Sequence, residues 1–207
     1  LHIGYDFHFG RDRLGDWQYL HSFFEPLGTE VRAHGAVRDG VEIIGCSAIR
    51  ERVRTGRVAD AARMLGRYHF LRGVVVKGRG RGRGIGFPTA NIEASTELVP
   101  PPGVYACQLE LERDGSLHPA IANLGFRPTF AEQSFSIEAH LFDFSGDLYG
   151  EKVRIHFVDW VREERHFDGI GALVQQIHQD VGRVRAMIPF GPPPEAARAS
   201  RRGCVRV

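Results

Sequence analysis

Lys77-Gly78-Arg79-Gly80-Arg81-Gly82-Arg83 runs straight into Gly84-Ile85-Gly86-Phe87-Pro88-Thr89-Ala90-Asn91, and the reading of this stretch decides how the rest of the chain is taken. Flexible cationic backbone is followed by a rigid proline and then by two small oxygen-bearing side chains. Glycines let backbone N–H groups approach anionic oxygens. Pro88 fixes its own φ, so Thr89 and Asn91 follow in defined positions. A hydroxyl and an amide oxygen are hard ligands, of the kind Mg2+ accepts beside phosphate oxygens and water. The order suits a polyphosphate and its metal, with Gly78, Gly80, Gly82 and Gly84 as cradle and Thr89 and Asn91 as ligands. The stretch is not a GxxxxGK[ST] loop, and no three of its glycines stand at GxGxxG spacing. Chemistry alone leaves two further readings open: an ordinary turn, and a disordered segment that binds nucleic acid.

Beyond this stretch the periodicity is two. Gly73–Lys77 is a valine-rich strand. Tyr105, Cys107, Leu109 and Leu111 alternate with Ala106, Gln108, Glu110 and Glu112, the pattern of a half-buried strand. Asp114-Gly115 turns that strand into residues 117–123. Phe135, Ile137, Ala139 and Leu141 alternate with Ser136, Glu138 and His140, and Val153, Ile155 and Phe157 with Arg154 and His156. Short strands separated by turn residues predict an antiparallel barrel or sandwich. Asp168 is placed to cap a helix whose apolar face is Ile170, Leu173, Val174, Ile177, Val181, Val184 and Ile188. Pro189 stops it, and residues 189–207, rich in Pro, Arg and Ala, read as a disordered tail.

Upstream, the signals alternate between strand and helix, as in an open α/β sheet. His2–Tyr5 reads as the end of a strand, and Asp16 caps a helix carrying Trp17, Leu20, Phe24 and Leu27 that Gly28 ends. Residues 30–37 and 41–44 read as strands about the turn at Asp39-Gly40, and Ser47 as the cap of a further helix. This is about half of such a sheet, without a phosphate-binding first βα unit. The chain opens on Leu1 as if in the middle of a domain, so we read it as a fragment.

The charge is nearly balanced, +2 over 207 residues, and the positive groups are local: 50–67, 77–83 and the tail. That distribution fits an anionic small ligand at least as well as a nucleic-acid groove. Cys46, Cys107 and Cys204 are odd in number and far apart, which points to a reducing, cytoplasmic setting. No apolar run approaches the ~18 residues of a membrane span.

Gly86-Phe87-Pro88-Thr89-Ala90-Asn91-Ile92 resembles the signature of riboflavin kinases. Further similar motifs follow in order: Gly103-Val104-Tyr105-Ala106, the run from Asn123 to Phe130, the run from Ile137 to Phe144, Leu148-Tyr149-Gly150, and the run from Val161 to Phe167. Gly4-Tyr5-Asp6-Phe7-His8-Phe9-Gly10 and Arg13-Leu14-Gly15-Asp16 resemble the adenylyltransferase half of the bacterial bifunctional riboflavin kinase/FAD synthetases. The resemblance covers about residues 1–188 and implies a Rossmann-like α/β nucleotidyltransferase remnant, then a small antiparallel β-barrel with a C-terminal helix. It places the join near residue 66, with 1–66 the C-terminal part of the adenylyltransferase domain and 67–188 the kinase domain. It implies ATP and riboflavin as substrates, FMN as product and Mg2+ as cofactor.

The resemblance also assigns roles. Glu138 would take the proton from the riboflavin 5′-hydroxyl. Thr89 and Asn91 would bind metal and phosphate. Asn123, Gly125, Arg127 and Arg162 would lie near the flavin, with Arg162, Glu163 and Arg165 in a flap. Asp6, Phe7, Phe9, Arg13, Ser47 and Arg50 would belong to the adenylyltransferase site. Gly45-Cys46-Ser47 departs from the SSTxIR motif there, and the HxGH motif of that module is missing from the chain. Taken without the resemblance, Glu138 is a solvated strand residue paired with a cross-strand cation. His140 is a weaker candidate base or a structural histidine.

Two other functions compete. The chain could be an inactive remnant that binds flavin, or an RNA-binding module using the Arg-Gly run, whose affinity would fall with salt. Residual FAD synthesis is not expected, because the adenylyltransferase half is incomplete. The oligomeric state stays open.

Overall fold

Tyr105, Cys107, Leu109 and Leu111 all turn inward from one strand, and the same two-residue alternation on five neighbouring strands closes them into a barrel. The computed structural model describes residues 1–78, 80–94, 98–128 and 133–188. The expected tail from 189 on and the side chain of Arg127 lie outside the described residues. The chain divides into two compact units, Leu1–Ala48 and the residues from Ile49 on.

In the first unit, β1 (His2–Gly4) pairs in parallel with β2 (Arg32–His34). Between them α1 (Trp17–Phe24) is capped by Asp16, whose carboxylate accepts from the Tyr19 N–H at 2.9 Å. A single 3-10 turn extends it to Leu27, and Gly28 ends it in the left-handed region at φ 72°. Strands β3 (Arg38–Asp39) and β4 (Glu42–Ile43) form a separate hairpin about Gly40. So 30–37 and 41–44 do not pair as one hairpin: the first of these segments spends its central residues on β1, the parallel partner that an α/β unit requires.

Helix α2 (Cys46–Arg54) follows, starting one residue before the Ser47 expected as its cap. Helix α3 (Val58–Leu65) then buries Val58, Ala61, Ala62 and Met64. Val58 belongs to the barrel's own core, so residues ahead of position 66 pack on the barrel.

The barrel runs β10-β5-β6-β9-β8-β7. Its strands are β5 (His69–Val76), β6 (Ala90–Ala94), β7 (Gly103–Leu111), β8 (Leu117–Pro128), β9 (Gln133–Leu141) and β10 (Lys152–Arg162). Every pairing is antiparallel. Closure removes the exposed edges that an open sheet of this size would carry. Inside, Tyr105 meets Phe157 and Trp160 edge-on at 5.3 and 5.0 Å and donates to the Pro101 carbonyl at 2.6 Å. Register shifts interrupt β10 after Phe157 and after Trp160, and the resulting bulges turn Val158 and Val161 outward into a second apolar cluster. That cluster is covered by α5 (Ile170–Met187), through Val184 and the following Ile188.

Helix α5 starts from Gly169 with no side-chain cap, so Asp168 does not cap it. Ile170, expected on the packed face, is 69% exposed. The apolar stripe is continuous in sequence, but only its C-terminal half meets the barrel. Its N-terminal half stands off from the sheet and leaves space beneath.

Two histidines sit in the barrel wall, His156 buried and His69 half-buried. His69 contacts the Leu98 carbonyl at 2.9 Å, and His156 meets Glu110 at 2.8 Å. Burial lowers both below the ordinary histidine value, against the raising effect of those partners. A lowered folded pKa means the unfolded chain takes up protons first as the pH falls. Stability is therefore complete above about pH 6.5 and is lost as the pH falls from there toward the lowered folded values. Thermal melts should show a lower midpoint at about pH 5.5 than at about pH 7.5, and a His69→Gln/His156→Gln double variant a smaller gap.

Candidate active site

Glu138 points outward because Ile137 and Ala139 point in. In the ladders Glu138 stands directly opposite Asn91 on β6 and opposite Asn123 on β8. Asn123 in turn faces Val104 on β7, and Val104 faces Arg162 on β10. One row across the barrel's outer face thus reads Asn91, Glu138, Asn123, Val104, Arg162. Facing side chains in such a row have Cβ atoms about 4.5–5.5 Å apart. Counting one step back from the Ala90–Ala139 pair sets Thr89 across from His140. Thr89, Asn91, Glu138 and His140 form a two-by-two patch on that face.

Thr89, Glu138 and His140 of this patch line a cavity of about 680 Å3 between the barrel's outer face and α5, a size suited to a drug-sized ligand. Thr89, Asn123, Glu138, His140 and Arg162 line it from the sheet, and Gly82, Ile85 and Phe87 close one end. Leu173, Ile177 and Asp180 line it from α5, and Glu164–Phe167 from the flap. The wall is apolar where Leu173 and Ile177 of α5 stand with Val104 and Ile121 of the sheet, and polar around Glu138. A second cavity of about 440 Å3 lies beside it, lined by Arg83, Pro88, Thr89, Phe144, Asp147 and Tyr149 among others. Thr89 lines both.

The glycine run is not an open loop. Residues Arg81–Gly84 make one helical turn, α4, entered through Gly80 at φ 67°. The turn folds down on the ligand candidates. A Cβ at Gly78 would strike the Asn91 amide, and one at Gly82 would strike the Phe87 carbonyl and come within 3.4 Å of the Thr89 hydroxyl. Only bare backbone fits at these two points. Asn91 is 8% exposed and lies under Gly78 rather than in the main cavity wall; it lines a smaller hollow of about 180 Å3. Gly84 has open space around it.

Arg162 is held rather than free. Its guanidinium forms a two-pronged pair with Asp180 at 2.9 and 2.8 Å, and Gln176 donates to the other Asp180 oxygen at 2.9 Å. Asp180 is 5% exposed. It interrupts the apolar stripe of α5, three residues after Ile177 and four before Val184. That intruding charge was visible in the sequence and was missed. Glu164 was missed too. It accepts from the Asn123 amide at 2.9 Å, and its carboxylate lies where a Cβ of Gly125 would be. Asn123 lines the cavity, Gly125 does not, and Glu164, just after β10, contacts both.

The adenylyltransferase candidates belong to other segments of the chain. Asp6, Phe7, Phe9 and Arg13 share the segment between β1 and α1, where the Phe7 and Phe9 rings stack at 5.7 Å. Phe9 exchanges two backbone hydrogen bonds with Gly15, and a Cβ at Gly15 would collide with its ring. Ser47 and Arg50 are three residues apart on α2, both exposed.

A cation at Thr89 would have to draw most of its oxygens from phosphate and water, because among the described residues no three His, Cys, Asp or Glu side chains gather. That is the coordination Mg2+ prefers, and a hydroxyl such as that of Thr89 and an amide oxygen such as that of Asn91 are donors of the right kind; Thr89 lines both cavities, while Asn91 lines neither of them. Among the described residues no helix is long and apolar enough to cross a membrane.

The family profile described as flavokinase, riboflavin kinase, matches residues 65–188. A bifunctional riboflavin kinase/FMN adenylyltransferase of Pseudomonas fluorescens is 36% identical over 189 residues, 90% of this chain and 60% of the relative. One of Bacillus subtilis is 41% identical over 141 residues, 66% of this chain and 44% of the relative. The chain therefore matches between 44% and 60% of the length of these relatives. A crystal structure of a macrolide-efflux protein from Streptococcus pneumoniae superposes with a TM-score of 0.80 at 34% identity, covering 88% of this chain and 60% of that one.

Replacing Asp180 with alanine should leave the Arg162 guanidinium without its carboxylate against a largely buried wall. Breaking one side of such a pair costs about 3 kcal/mol, which urea unfolding at neutral pH would read.

Proposed function

This chain belongs to the riboflavin kinase family, and from that premise we propose that it transfers the γ-phosphate of ATP to the 5′-hydroxyl of riboflavin, giving FMN. The observation that carries the reading is that Thr89 and Glu138, far apart in sequence, line one cavity. The flavin ring suits the apolar side, between Leu173 and Ile177 of α5 and the sheet residues Val104 and Ile121. The ribityl chain then runs toward Asn123 and Glu138. The nucleotide suits the neighbouring cavity, and Thr89, common to both, stands where the γ-phosphate would pass from one ligand to the other.

Phosphoryl transfer asks the protein mainly to position its reactants and balance charge. Glu138 accepts the hydrogen of the 5′-hydroxyl and orients that oxygen toward phosphorus. The new O–P bond forms as the bond to the β-phosphate oxygen breaks, ADP leaves, and the proton passes to the carboxylate. The backbone at Gly78 and Gly82 packs against Asn91, Phe87 and Thr89 and would border the phosphates. Mg2+, held by Thr89 and Asn91, would offset the charge on the phosphate oxygens. Glu164 and Arg162 hold the flap over the flavin side and keep water from the phosphate.

We place the join of the modules near residue 66, with the first unit as part of an adenylyltransferase domain and the cytoplasm as the setting. Cys46 and Cys107 are unpaired, as a reducing compartment would leave them. Chromatography after incubation with riboflavin, ATP and Mg2+ should show FMN and little or no FAD, since the sequence has no HxGH. Glu138→Gln should lower FMN formation by about 10²–10⁴-fold with the melting temperature unchanged; unchanged turnover would remove Glu138 from the reaction. Gly78→Ala should weaken Mg-ATP binding by about tenfold, read by titration calorimetry, because the new methyl displaces the Asn91 amide.

A further inference from the structure

The geometry points to His140 as the positioning residue that holds Thr89 against the strand of Glu138, a role that rests on the kinase reading above. His140 Nδ1 lies 2.8 Å from the carbonyl oxygen of Pro88. A carbonyl oxygen can only accept, so Nδ1 carries the hydrogen and donates it. Two rotations about Pro88 lead into Thr89. The pyrrolidine ring sets the first, φ, near −65°. The second, ψ, turns the planar peptide unit that holds both the Pro88 carbonyl and the Thr89 N–H. The bond from His140 pins that plane. The ring fixes one of these rotations and the bond from His140 restrains the other.

The donor is 52 residues further along the chain, so the pin is tertiary. It comes from β9, two residues past Glu138 and on the same outward face. The phosphate side and the proton-accepting side are thereby registered on one strand. The ring of His140 also meets Phe87 edge-on at 5.4 Å, and Phe87 meets His178 of α5 at 4.9 Å. Phe87, directly before the proline, is thus held between β9 and the helix. With Nδ1 committed to Pro88, His140 acts on the reaction through Thr89, while Glu138 remains the base.

Three variants separate this role from a wall of the flavin cavity. Asparagine can place an amide N–H close to where Nδ1–H stands; glutamine carries its amide one bond further out, and alanine has no donor. A displacement of about 1 Å at a reacting group costs about 10²-fold. His140→Ala and His140→Gln should therefore lower kcat by about 10–100-fold and weaken Mg-ADP binding by about tenfold without riboflavin present, whereas His140→Asn should stay within about threefold of the parent protein. Thermal melts confirm that each variant is folded. Equal losses in the asparagine and alanine variants would overturn the role, as would a change confined to riboflavin affinity. A parent chain that forms no FMN sinks the kinase reading and this role with it; an active parent with no asparagine rescue sinks the role of His140 alone.

Discussion

The register of β9 against β6 and β8 is the constraint on which the site depends. Side chains alternate along a strand, so a one-residue slip would turn Glu138 into the apolar interior and Ile137 or Ala139 out. The interior resists that slip. Ile137 and Ala139 are buried among Ile92, Ala122 and Leu124, and a carboxylate in their place would lose its water with no partner waiting. Packing inside the barrel thus fixes chemistry outside it. The same register sets Asn91 and Asn123 on either side of Glu138 and carries the row on to Arg162.

Helix α5 divides two tasks along its length. Val184 and Ile188 fasten it to Val158 and Val161, which the bulges of β10 turn outward. Leu173 and Ile177, nearer the start of the helix, line the cavity. Asp180 sits at the change from one task to the other and ties Arg162, the last residue of β10, to the helix. An apolar stripe alone would have closed the space. The buried ion pair ties the helix to the end of β10 beside the cavity, and a pair of this kind specifies geometry more than it adds stability.

The barrel was legible because two-residue alternation is a strong local signal, and strands β7, β9 and β10 fall where it indicates. The glycine run was less so. Its composition suggests loose chain, but Gly80 permits the left-handed turn that opens α4, and Gly78 and Gly82 are forced by neighbours distant in sequence or folded back on them. The extent of the packed face of α5 could not be read from its stripe, since periodicity shows which residues share a face but not what lies opposite. Asp180 was readable as a charge on that face; its partner Arg162 was not. The contacts of Glu164 with Asn123 and of His140 with Pro88 join residues 41 and 52 positions apart, and nothing local announces them.

The most direct measurement is a crystal structure of the chain with riboflavin, Mg-ADP and a planar phosphoryl mimic such as aluminium fluoride. The expected result has the 5′-hydroxyl oxygen within about 3 Å of a Glu138 carboxylate oxygen, in line with the mimic, and the flavin ring under α5. A ribityl chain turned away from Glu138, or a nucleotide whose phosphates do not reach Thr89, would contradict it.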